Sequence, residues 1–196
     1  EITTRLVGSE MCIRDRYLLY IILTAVDFVL LLLGDMPILD ALCTAFGTAG
    51  TGGFGIKNDS IASFSPYIQN VTTVFMLLFG VNFSCYYLLA LRQVKSVFKD
   101  EELRLYIGIV LGSIALIVWN LWGYYPSFGE TLRHAAFQVS SIITTTGYAT
   151  TDFDLWPSFS KTILLCLMVV GACAGSTGGG IKVARVLLLF KSLRRN

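Results

Sequence analysis

The chain has 196 residues, 55% of them hydrophobic and 14% charged, and a mean hydropathy of +0.68. A water-soluble domain of this size seldom carries so much apolar material, so the composition points to a membrane protein. A net charge of +2 gives no ground for nucleic acid as a partner, and a single histidine, His134, excludes a multi-histidine metal site.

Glu1–Arg16 is polar and charged, lacks an apolar run and resembles nothing that follows. It reads as a truncated or non-native end, not as a signal peptide, and is set aside from functional reasoning. Residues 17–91 form a first unit. Tyr17–Leu33 is an apolar segment near the lower limit for a membrane span. Asp27 interrupts it, and a carboxylate at that depth either makes a helix-packing hydrogen bond or serves function. Gly34-Asp35-Met36-Pro37 ends the span, with Asp35 as a capping residue and Pro37 suited to a first helical turn. Ile38–Gly47 is then a short helix, about half a membrane long. It runs into Thr48-Ala49-Gly50-Thr51-Gly52-Gly53-Phe54-Gly55. The next span, Tyr67–Leu91, is interrupted at Gly80-Val81-Asn82-Phe83-Ser84, residues that free backbone groups where they line a cavity.

A charged connection, residues 92–102, leads to a second unit, 103–190, and a basic tail, 191–196. Leu103–Trp122 is its first span, Glu130–Ile143 its short helix, and Thr144-Thr145-Thr146-Gly147-Tyr148 its Thr/Gly loop. Phe159–Phe190 closes the unit, broken by Gly171 and by Gly175-Ser176-Thr177-Gly178-Gly179-Gly180. A shift of 95 positions without gaps lays Gly34 on Gly129, Thr51 on Thr146, Gly52 on Gly147, Ser63-Phe64-Ser65 on Ser158-Phe159-Ser160 and Gly80 on Gly175. This is an internal repeat, so each copy reads as span, short re-entrant helix, Thr/Gly loop and span.

Gly allows the backbone conformations that turn carbonyls towards an axis, and rings of carbonyls replace the water shell of a potassium ion. The C-terminal end of each short helix adds the negative end of a dipole, which favours a cation there. On one copy alone, plain polar loops would be the better explanation; two copies favour a filter. Basic residues set the orientation: Arg14, Arg16, Arg92, Lys95, Lys99, Arg104, Lys191, Arg194 and Arg195 all fall on one side. By the positive-inside rule that side is cytoplasmic, and the Thr/Gly loops enter from outside. Asp35, Asp40, Asp59, Glu130, Asp152 and Asp154 against Lys57, Arg133 and Lys161 leave the outer mouth negative, which concentrates cations.

Gly175–Lys182 resembles a phosphate loop at first sight. Ile181 separates Gly180 from Lys182, Val183 follows, and the context is a membrane span, all of which excludes a Walker motif. The five cysteines are scattered without a C-x-x-C pair and read as packing residues. No nucleophile and base fall in one plausible site, so an enzyme is not expected.

Thr51-Gly52-Gly53-Phe54, Thr145-Thr146-Gly147-Tyr148, Asn82-Phe83-Ser84 and above all Ala174-Gly175-Ser176-Thr177-Gly178-Gly179-Gly180-Ile181-Lys182 carry a resemblance. Over about Tyr17 to Asn196 the chain resembles the Trk/Ktr/HKT superfamily of potassium transporters, and within it the TrkH branch most. The resemblance implies an all-α membrane fold of helix–pore–helix repeats, four in one chain around one pore. The two repeats here look like the third and fourth, with the N-terminal half missing. It implies K⁺ as the transported ion, no organic cofactor, and a filter at Gly50, Thr51, Gly52, Gly53, Thr145, Thr146, Gly147 and Tyr148. Within that set the backbone carbonyls of Thr51, Gly52, Thr146 and Gly147 above all would hold the ion, with Gly52 and Gly147 as the matching filter glycines. It further implies a gate at Gly80, Asn82 and Ser84, faced by Lys182 or Arg185, and those two charges could instead snorkel to headgroups as anchors. Partners implied are membrane lipid, a second copy in a homodimer, and a cytosolic nucleotide-binding regulatory subunit like TrkA. The place implied is the bacterial inner membrane.

Two other classes remain in view: an ion-coupled secondary transporter with broken helices, and a non-conducting structural membrane subunit. Inverted repeats would favour the transporter. Cysteine labelling separates these readings. Cysteines placed at Asp59 and Asp154 are expected to react from outside the cell, and one at Lys99 only after permeabilisation. Labelling of the two aspartate positions from opposite faces would make the repeats inverted.

Overall fold

A computed structural model describes residues 2–90, 92, 97, 98 and 100–195, and all its regular elements among these are helical. Gln93, Val94, Lys95 and Lys99 of the basic connection, and Leu91 at the end of the first unit, lie outside the described residues. The order is α1 (Ile2–Leu33), α2 (Ile38–Ala49), α3 (Pro66–Gly80), α4 (Phe83–Ala90), α5 (Glu101–Asn120), α6 (Phe128–Ile143), α7 (Ser158–Val169) and α8 (Val183–Arg195). α1 runs on through the compositional boundary at Arg16, and its apolar span covers Arg16–Leu33. α5 is the second helix long and apolar enough to cross a membrane alone.

Each unit contributes a long helix, a short helix ending in a Thr/Gly loop, and a third helix that stops part-way. In the first unit, α3 and α4 form one broken span bent by 93° at Val81-Asn82. In the second, α7 ends at Val169 and α8 starts only at Val183. Twelve helical residues rise about 18 Å, too little to cross a hydrocarbon core of about 30 Å, so the non-helical stretch 170–182 lies within membrane depth.

Local chemistry sets most helix starts. Ser65 accepts from the Ile68 N–H, Asp100 from the Glu102 and Leu103 N–H groups, and Ser127 from Glu130. The cap expected of Asp35 is not made. Asp35 takes φ +61° in the turn, and Pro37 itself stands at the N-cap of α2, whose start has no side-chain cap. Asp27 also departs from expectation: it is fully buried, yet neither carboxylate oxygen has a hydrogen-bond partner among the described residues.

The two units meet in one core. Leu31, Met36, Ala41, Ala45, Ile68 and Met76 of the first unit pack with Phe137 and Tyr148 of the second. A second cluster joins α5, α6 and α7 through Ile117, Val139, Ile143 and Leu164. Within it the Ser160 hydroxyl donates to Asn120 Oδ1 at 2.8 Å, with Ser160 fully buried. Interhelical hydrogen bonds in membranes contribute roughly 0.6–2 kcal/mol. Ser160→Ala is therefore expected to lower unfolding stability by about 1 kcal/mol. Thr162→Ala, whose exposed hydroxyl bonds only Ser158 of its own helix, should fall within about 0.5 kcal/mol of wild type. Equal losses in detergent unfolding titrations would show that the α5–α7 bond contributes nothing.

Candidate ion-binding site

The two Thr/Gly loops lie side by side, and each is built from the end of its short helix by the same bonds. In the first, Thr51 N–H donates to Thr48 O and Gly52 N–H to Gly47 O; in the second, Thr145 N–H donates to Ile142 O and Thr146 N–H to Ser141 O. Thr51 (φ +51°) and Gly53 (φ +68°) carry the left-handed turns of one loop, Thr145 (φ +58°) and Gly147 (φ +92°) those of the other. The Thr51 hydroxyl bonds Gly50 O at 2.8 Å, and the Thr145 hydroxyl bonds Thr144 O at 2.7 Å.

These matches correct the repeat register. The backbone pairs Thr51 with Thr145, Gly52 with Thr146 and Gly53 with Gly147, an offset of 94 where the sequence shift was 95. Gly53, not Gly52, is the counterpart of Gly147. Gly52 misled the shift because it stands where Thr146 does, while the position that needs φ > 0 is the next one. A Cβ on Gly53 would also land on the Thr146 carbonyl, so the two loops touch there, whereas one on Gly52 would meet only ordinary contacts, the nearest at 3.7 Å.

Among the described residues, the carbonyls of Thr51, Gly52, Gly53, Thr145, Thr146 and Gly147 accept no hydrogen bond. Six ungrouped acceptors in two adjacent strings are an oxygen-rich surface suited to a hard cation. The Gly50 carbonyl differs, being taken by the Thr51 hydroxyl, and the Tyr148 carbonyl accepts from the Ser141 hydroxyl at 2.6 Å. Tyr148 acts through its ring. It is fully buried, its hydroxyl donates to Thr44 O of α2 at 3.3 Å, and a Cβ on Gly47 would collide with that hydroxyl. Its register mate Phe54 is 86% exposed. The loop tails pair as well, Ile61 N–H with Ala149 O and Ala149 N–H with the Ser60 hydroxyl.

Beneath the loops the two helix breaks meet. Cys173 N–H donates to Gly80 O, Thr177 N–H to Phe79 O, and Phe83 N–H to Gly175 O. The stretch 170–182 folds back on itself, with Gly171 N–H to Ile181 O and Val183 N–H to Ala172 O. Its tip reaches both Thr/Gly loops: the Thr51 hydroxyl, whose one proton goes chiefly to Gly50 O, lies 3.3 Å from Thr177 O, and Gly179 N–H donates to the Thr145 hydroxyl at 2.7 Å. Gly178 must be glycine, since a Cβ would sit 2.8 Å from Ala172 Cβ and 3.0 Å from Thr144 O. An open cavity of about 450 Å³ lies against this tip, lined by Arg16, Tyr17, Tyr20, Phe83, Gly175, Ser176 and Thr177.

The residues expected at the gate are brought together only in part. Asn82 Oδ1 accepts from Ser84 N–H at 2.9 Å, so this side chain caps the start of α4, and the Ser84 hydroxyl accepts from Arg16. Lys182 is half-buried, and its ammonium donates to Gly178 O. The carbonyls of Phe79 and Gly80, to which Lys182 could have turned, are taken by Thr177 and Cys173. Arg185 is exposed on the first turn of α8. Sequence reasoning missed Glu102 altogether: its carboxylate accepts the Ala174 N–H at 2.5 Å across 72 positions, and no motif marks it.

Comparison with known proteins shows the family and the overall fold. The chain is 39% identical over 183 residues to the Trk system potassium uptake protein TrkH of Salmonella typhimurium, covering 91% of this chain and 38% of that protein. It is 35% identical over 195 residues to the Trk system potassium uptake protein TrkG of Escherichia coli, covering 97% of this chain and 39% of that one. The crystal structure of the potassium transporter TrkH from Vibrio parahaemolyticus superimposes with a TM-score of 0.85 at 33% identity, over 97% of this chain and 42% of that one. The chain thus spans about two fifths of the length of the curated relatives it matches. With residues 13–196 matched by the family described as "TrkH: Cation transport protein", the chain is an all-helical membrane protein that belongs to the TrkH family.

Proposed function

We propose that this chain supplies half of a potassium uptake pore, with the carbonyls of Thr51, Gly52, Gly53, Thr145, Thr146 and Gly147 forming half of its selectivity filter. The observation that carries the reading is the pair of adjacent loops with one backbone geometry, in which these carbonyls accept no hydrogen bond among the described residues. The printed function of the relatives, potassium uptake, supports K⁺ as the ion. Ions are the cargo; nothing in the reading calls for covalent chemistry or an organic cofactor.

Phe54 supports a larger ring. Tyr148 packs its ring on the short helix of the preceding unit, and Phe54 is its counterpart with no such helix beneath it. A preceding unit of the same kind, with its own short helix, would cover it and continue the ring. On this reading the pore loops enter from outside the bacterial inner membrane. The complete protein works as a homodimer in lipid with a cytosolic, nucleotide-binding subunit like TrkA.

The gate is the contact between the two helix breaks. A lysine ammonium close to a potassium path repels the ion strongly where water is scarce, and half-buried Lys182, bonded to Gly178 O, fits that role better than exposed Arg185. In full-length protein reconstituted in liposomes at matched density, Lys182→Gln is expected to raise K⁺ flux several-fold and Arg185→Gln to leave it unchanged. The same flux from Lys182→Gln as from wild type would make Lys182 an anchor.

The filter assignment has its own test. Holding a non-glycine residue in the left-handed region costs roughly 1–2 kcal/mol, which is about tenfold in an equilibrium. Gly53→Ala and Gly147→Ala are expected to lower K⁺ over Na⁺ uptake about tenfold. Gly52→Ala, with negative φ and room for a methyl, should change it much less. A larger loss at Gly52 than at Gly53 would restore the register of 95 and overturn the one built on the backbone.

A further inference from the structure

Glu102 stands at the second position of α5, far in sequence from both helix breaks. Its place is fixed from below: Asp100 Oδ1 accepts from the Glu102 N–H at 2.8 Å and the Leu103 N–H at 3.0 Å, so the first turn cannot unwind without losing both. From there the Glu102 carboxylate crosses to the stretch 170–182 and accepts the Ala174 N–H at 2.5 Å. Hydrogen bonds to an ionised acceptor are about twice as strong as neutral ones. The Glu102 charge also bears electrostatically on the Lys182 ammonium and the Cys173 thiol, as do Asp100 and Cys85 on Cys173 and Arg185 on Lys182.

Ala174 lies three residues before Thr177, whose carbonyl lies 3.3 Å from the Thr51 hydroxyl, and five before Gly179, whose N–H donates to Thr145. Its neighbours Cys173 and Gly175 bond Gly80 and Phe83 of the opposite break. One side chain in the first turn of α5 thus adds to the backbone bonds that hold a segment whose other end touches both Thr/Gly loops. We infer that Glu102 is a positioning residue for the gate: it latches the stretch 170–182 against the α3–α4 break, and releasing it lets the segment swing away from beneath the loops. The inference rests on the pore reading for its effect on ion flux, but the latch itself is a statement about one segment.

Cys173 provides a readout that does not depend on ions. It is fully buried next to Ala174, and a released segment would expose its thiol. In full-length protein whose other cysteines are replaced by serine, methanethiosulfonate labelling of Cys173 is measured in liposomes beside K⁺ flux. Glu102→Ala is expected to speed labelling at least tenfold and to raise flux. Glu102→Gln keeps an acceptor at the same reach and should label close to the wild-type rate. Glu102→Asp, shorter by one methylene, should behave like the alanine variant and serves in its place if that variant fails to fold. Equal labelling of the aspartate, glutamine and wild-type proteins would overturn the latch. Fast labelling with unchanged flux would keep the latch and instead count against the gate, so the two failures are told apart.

Discussion

Unpaired backbone groups are what this fold has to manage. In hydrocarbon each N–H or C=O without a partner costs several kcal/mol, and helices solve this only while they continue. Here two helices stop within membrane depth, and the groups they release pair with each other. Gly80 and Phe79 give carbonyls to Cys173 and Thr177, and Gly175 gives its carbonyl to Phe83. Neither break would be stable without the other, so the units are joined through their irregular parts as well as through their core.

That constraint explains the run Ala174–Lys182. Backbones this close leave no room for side chains at Gly171 and Gly178, where a Cβ would meet Gly179 backbone or Thr144 O. Thr and Ser in the run satisfy groups that the helix no longer reaches: Thr177 bonds Phe79 O and Ser176 bonds Cys173 O. Lys182 does the same for Gly178 O with a charge. Threonine is repeated above it for a related reason. Thr48 and Thr144 turn their hydroxyls back on Thr44 O and Ser140 O, absorbing carbonyls at the ends of the short helices. What is left over is the set of carbonyls in the two loops.

Much of this was legible in the chain. The spans, the short helices and both breaks follow from apolar runs and from Gly, Asn and Ser within them. Helix ends shifted by a few residues: α2 reaches Ala49 and α6 starts at Phe128. The loop register was misread because a gapless shift weighs every identity equally, and the helix α6 is longer than α2, so insertions fall before the loop. Gly52 on Gly147 is an identity of letters; Gly53 on Gly147 is an identity of φ. The partners of Lys182, Asn82 and Glu102 were beyond reach for another reason. A side-chain hydrogen bond to a backbone group leaves no residue type on the far side to recognise.

The contrast between Phe54 and Tyr148 carries the geometry one step further. Two rings at matching positions, one fully buried and the other 86% exposed, cannot be explained by their own loops, which have the same backbone. The difference lies in what stands behind each. Tyr148 has α2, with Gly47 making room for its hydroxyl and Thr44 receiving it. Moved by the register of 94, Gly47 and Thr44 of α2 fall on Ser141 and Gln138 of α6. Ser141 spends its hydroxyl on Tyr148 O of its own loop, and Gln138 is buried with its Oε1 free of any partner among the described residues. One end of the pair thus presents an aromatic ring without a seat, whereas the short helix at the other end carries Ser141 where α2 has the Gly47 that makes room, so a ring docking there would be seated differently. Head-to-tail contacts of this kind close into rings when repeated. The proposed pore is such a ring, and this chain shows the contact from which it would be assembled.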